Sequence, residues 1–84
     1  MRGPWVILPH AVARYRERIH DVPYERALDE LLAHAESAHR VCEMRTGIVR
    51  WRGRAPLRLT MLVDERVSPP LLVTILPLWK GRKI

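Results

Sequence analysis

The chain has 84 residues, room for one domain (1–84) with one core. Apolar residues make up 48% of it, which marks a globular chain rather than a disordered one, and 15 Lys+Arg against 9 Asp+Glu give a formal charge of +6. Cys42 is the one cysteine, so an internal disulfide is excluded and a reducing cytoplasm is the expected location.

Trp5-Val6-Ile7-Leu8 reads as a short strand or an arm, and is too short for a signal peptide. Pro9 suits the first turn of a helix, in which Val12, Tyr15 and Ile19 recur at helical spacing with Leu8 and Ala11 extending the face. Pro23 marks a second start, with Asp21 as its cap. Tyr24, Ala27, Leu28, Leu31, Leu32 and Ala35 form the apolar stripe of that helix, which is expected to end near Arg40. From 47 the period changes to two. Residues 47–52 alternate, 53–56 read as a turn, and in 57–64 Leu57, Leu59, Met61 and Val63 share one face. Ser68-Pro69-Pro70 is a second turn. Leu71 to Leu76 is apolar on both faces, as in a central strand, and Pro77 stops it. The apolar stretch 69–79 is too short to span a bilayer, so no membrane partner is expected. The predicted fold is α+β, with two N-terminal helices packed on one face of a three- to four-stranded antiparallel sheet. Leu28, Leu31 and Leu32 are expected to form the core with Val12, Tyr15, Leu59 and Met61.

Charge is unevenly placed. Residues 1–39 carry five arginines against six acids, a net −1, whereas residues 40–84 carry ten Lys+Arg against three acids, a net +7. A surface of one sign steers polyanions and gains from counterion release, so nucleic acid, with RNA favoured, leads as partner. Arginine outnumbers lysine 13 to 2. Its planar fork matches phosphate and stacks on bases, although the absence of Asn, Gln and Phe also points to a GC-rich genome that favours Arg codons.

Three groups of residues could contact such a partner. His10, Arg14 and Arg18 lie at i, i+4 and i+8 along one side of the first helix, where they could grip phosphate or form a solvated face paired with Glu17 and Asp21. On the sheet, Arg50, Arg52, Arg58 and Thr60 are expected to point away from the helices. Thr74 joins them if Leu71, Val73 and Ile75 face the core. RNA-binding sheets present such a face, and so do ordinary solvated sheets. Leu62, Leu72 and Leu76 on the same face imply a cover, either a protein partner or a second copy in a homodimer. The tail Trp79-Lys80-Gly81-Arg82-Lys83 sets an aromatic among cations, as suits a nucleic-acid strand and equally a frayed basic terminus. No metal or cofactor is expected. His34 and His39 are five apart and fall on different helix faces, and there is no CxxC, HExxH or glycine-rich phosphate loop.

The run Leu8-Pro9-His10-Ala11-Val12-Ala13-Arg14-Tyr15-Arg16-Glu17-Arg18-Ile19 resembles the opening of a family of small bacterial and phage domains. These begin with a His-Ala-x-x-Arg-x-x-x-Arg-like helix and end with a strand reading Val-Thr-Val/Ile, here Val73-Thr74-Ile75. The order of elements is similar to the RelE- and BrnT-type toxins of the barnase/EndoU/colicin-like ribonuclease group. The chain departs from that pattern in having Leu8-Pro9 ahead of the histidine and Ile19-His20 after the second arginine. The resemblance implies metal-independent RNA cleavage. A base removes the 2′-OH proton, cations stabilise the pentavalent phosphorane, and an acid protonates the leaving 5′-oxygen. His10 would be the base or acid, Arg14, Arg18 and Arg58 the cations, and Thr74 a phosphate-orienting hydroxyl. Two readings therefore compete: a RelE-like RNA-binding protein that is or is not a ribonuclease, and a non-catalytic, phage-type regulator that docks on a host transcription or translation protein.

Overall fold

The computed structural model describes residues 4–55 and 57–76. Its elements are β1 (Val6–Ile7), α1 (Pro9–Arg18), α2 (Tyr24–Glu36), β2 (His39–Arg45), β3 (Ile48–Arg52), β4 (Thr60–Asp64) and β5 (Leu71–Ile75). The strands form one sheet in the order β1-β5-β4-β3-β2. The fold is α+β, with both helices on one face. The sheet has five strands rather than three or four, and it is mixed, because β1 runs parallel to β5 while the other pairs are antiparallel.

Local sequence explains most of these bounds. Pro9 occupies the first turn of α1, where its missing N–H costs nothing. α2 stops at Glu36 rather than near Arg40. The Ser37 hydroxyl donates back to the carbonyls of Ala33 and His34, which closes the last turn. That frees His39–Arg45 to form β2, a strand the hydropathy pattern hides. All seven of its residues are exposed, so nothing selects for alternation. It also carries two register shifts against β3, at Val41 and Met44. Such bulges blunt an open edge against stray strand pairing.

The core lies between the helices and the β1–β5–β4 part of the sheet. Ala11, Val12 and Tyr15 from α1 and Ala27, Leu31 and Ala35 from α2 meet Leu59, Met61, Val63, Leu72 and Ile75. Leu32 is buried as well, while Leu28 is only partly buried at the margin. Trp5 closes one end and meets Trp51 edge-on at 5.1 Å between ring centroids. The helices do not reach β2, and Trp51 donates its indole N–H to Glu65 at 2.9 Å, with Arg40 pairing the same carboxylate at 3.3 Å. No described helix is long and apolar enough to cross a membrane.

One polar knot ties the helices together. Glu30 accepts from the Tyr15 hydroxyl at 2.5 Å, contacts His20 Nδ1 at 2.9 Å and pairs with Arg26 at 3.1 Å. These bonds, Tyr15 first and His20 next, hold the Glu30 carboxyl down at about 2. Burial and then Glu30 push the Tyr15 phenol upward. A depressed carboxyl stabilises the fold above its unfolded value of 4.5, and that contribution is lost as pH falls toward 2. The melting temperature is therefore expected to drop across that window. In Glu30→Gln it is expected to start lower at neutral pH and to fall less steeply. A pH profile parallel to wild type in that variant would contradict the assignment.

Candidate nucleic-acid interface

The cross-strand register defines what shares the sheet face turned away from the helices. Cys42, Arg50, Leu62 and Thr74 form one row across β2, β3, β4 and β5. His39, Arg52 and Thr60 form the next. Arg45, Ile48, Asp64, Leu71 and Val6 form a third. Arg50, Arg52 and Thr60 thus lie on the outer face as their alternation implies. Thr74 does too, but for a different reason. Val73 is an extra residue at a bulge between Leu72, paired with Val63, and Thr74, paired with Leu62. The bulge turns Leu72 and Ile75 into the core and leaves Leu71 and Val73 outside it. The expected outer leucines are corrected accordingly: Leu62 lies on that face, whereas Leu72 is fully buried.

Most described cations elsewhere already have partners. Arg14 pairs with Glu17 at 2.9 Å, Arg26 with Glu30, Arg40 with Glu65, and Arg66 with Asp64 at 2.8 Å. Arg16 donates to the Val22 carbonyl and Arg18 to the Ile75 carbonyl at 2.8 Å, which fastens α1 to the end of β5. Arg45, Arg50, Arg52, Arg54 and Arg58 make no ion pair with a carboxylate among the described residues. All five belong to β2, β3 or the β3–β4 connection. Asp64 shares the outer face, but Arg66 holds its carboxyl down at about 2, so it stays ionised and engaged. Arg50 keeps its Nε out of solvent with no hydrogen-bond partner. An orphaned guanidinium N–H in that position is costly to the fold.

At the end of this face His39, Arg52, Gly53, Arg54, Ala55 and Arg58 line a depression of about 350 Å³. His39 and Arg52 stand opposite each other across β2 and β3. Gly53 donates to the Leu59 carbonyl at 2.7 Å and Arg58 to the Arg54 carbonyl at 3.1 Å, and these bonds close the turn. Arg58 sits at φ 51°, in the left-handed region that side chains other than glycine and asparagine rarely enter. A neighbouring depression, lined by Ala33, His34, Glu36, Ser37 and Arg54, contains a carboxylate and lacks this uniform sign. Burial lowers the His34 pKa there, with Glu30 opposing it.

The structure does not gather His10, Arg58 and Thr74 into one cleft. His10 is exposed in the first turn of α1, in the helix layer, while Thr74 lies on the opposite face of the sheet and Arg58 in the β3–β4 turn. The α1 stripe is largely absorbed by structure, because Arg14 is held by Glu17 and Arg18 by the β5 carbonyl. Lys80, Arg82 and Lys83 lie outside the described residues. Sequence reasoning missed His39, Arg45 and Arg54. The signal that could have found Arg54 was Gly53-Arg54-Ala55-Pro56-Leu57-Arg58, two arginines four apart inside a turn. Among the described residues no group of three or more His, Cys, Asp or Glu is placed to hold a metal ion. Comparison with family models, curated proteins and solved structures finds no match to this chain.

Proposed function

We propose that this chain is a small basic RNA-binding protein, RelE-like in layout, that holds single-stranded RNA on the outer face of its sheet. The observation that supports this most is the grouping of Arg45, Arg50, Arg52, Arg54 and Arg58 without acidic partners among the described residues. The helix arginines are engaged by contrast, Arg14 and Arg26 by carboxylates and Arg16 and Arg18 by main-chain carbonyls. Thr60 and Thr74 add hydroxyls to the same face, and Ile48, Leu62 and Val73 add half-buried apolar surface for base contacts. The reading is of binding alone, because the three residues expected to form a cleavage site lie apart. The docking of a host protein on the same apolar strip is the competing reading.

Titration of a fluorescent single-stranded RNA at several salt concentrations tests it. Five phosphate contacts imply a log–log slope of about −3 to −4, from about −0.7 per contact on single strands. A flat response, or no binding at low salt, would contradict RNA binding and favour the protein partner.

A further inference from the structure

We propose that the depression framed by His39, Arg52, Arg54 and Arg58 is a seat for a phosphomonoester dianion, the terminal phosphate of the RNA strand that lies on the outer face. The inference deepens the RNA-binding reading and rests on it for the strand, but not for the phosphate. Three arginines and a histidine line the depression, with no carboxylate among its lining residues. At about 350 Å³ it falls in the lower part of the range of about 300–1,000 Å³ found for small-ligand sites. An internal phosphodiester has one negative charge and chain on both sides, so it suits Arg50 and Arg45, which lie in separate rows of the open face. A terminal phosphate has a second charge and a third free oxygen, and carries chain on one side only. Three arginines lining one depression supply positive charge and N–H donors to match that charge and those acceptors.

The position supports the same assignment. Arg52 ends β3, His39 begins β2, and Arg54 and Arg58, from the β3–β4 connection, line the same depression at the end of the sheet. A strand running across Arg50 toward Arg52 therefore ends in the depression. The left-handed backbone of Arg58 fits a role in holding a ligand, since glycine would suit that φ better.

The test uses one short single-stranded RNA in three forms: 5′-phosphorylated, 3′-phosphorylated and with hydroxyls at both ends. Wild type is expected to bind one phosphorylated form about tenfold more tightly than the unphosphorylated one, and which form wins identifies the strand polarity. In Arg58→Gly that advantage should disappear while the melting temperature stays level or rises. Equal affinity of wild type for all three forms overturns the seat and leaves RNA binding standing. Inorganic phosphate, titrated into 15N-labelled protein, reads the seat without RNA. Saturable shifts of the Nε–H signals of Arg52, Arg54 and Arg58 support it, and unmoved signals at millimolar phosphate overturn it even if RNA binds.

Discussion

Leu31→Ala is expected to cost about 2–5 kcal/mol of stability, the range for deleting a leucine from a packed core. Leu31 is fully buried, on the face of α2 that packs into the core with α1 and the sheet. The chain has little reserve. At about 0.05–0.15 kcal/mol per residue, a domain of 84 residues holds roughly 4–13 kcal/mol in total. There is no phenylalanine to fill the gap, and the nearby aromatic Tyr15 is fixed by its bond to Glu30. For a domain of this size the melting temperature should fall by about 10 °C or more. A fall of only about 2 °C would show that the α2 packing is misdescribed.

Arg50→Leu is expected to act in the opposite sense on the fold and strongly on binding. Arg50 carries an Nε that is buried without a partner, and it stands between Cys42 and Leu62 in its cross-strand row. Leucine removes the unsatisfied group and adds an apolar cross-strand contact, so the melting temperature should hold or rise. RNA affinity should fall about tenfold or more, because a charge-assisted bond to phosphate is worth about 1.5–3 kcal/mol. The salt slope should become shallower by about 0.7. A destabilised variant with unchanged RNA affinity would make Arg50 a structural residue.

The helices and the two central strands were legible because their burial is periodic. Val12 and Tyr15 on α1, Leu31 and Leu32 on α2, and Met61 and Val63 on β4 are all buried, as the spacing implies. The edges were not legible. β2 has no buried face to impose a pattern, and β1, two residues long, owes its place to main-chain bonds on either side of it, from Val6 N–H to the carbonyl of Pro70, just ahead of β5, and from Leu8 N–H to that of Leu72 within it. The basic face was half legible. Alternation alone put Arg50 and Arg52 on it, but the bulge at Val73 exchanged Leu72 for Leu71, which no period-two reading can foresee. For the same reason the trio of His10, Arg58 and Thr74 could be read only as residues of suitable chemistry. Which side of the sheet each occupies is a property of the topology. His39 shows the converse: a helix running to Arg40 sets it on a different face from His34, and the early stop at Glu36 moves it into a strand opposite Arg52.

The central claim concerns where RNA lies, and mapping amide shifts during titration with a short single-stranded RNA tests it most directly. The expected result is a continuous set of shifted signals over Arg45, Arg50, Arg52, Thr60, Leu62 and Thr74, extending into the 53–59 turn, with α1 and α2 unmoved. Shifts confined to His10, Arg14 and Arg18 on α1 would contradict the account and return the site to the helix.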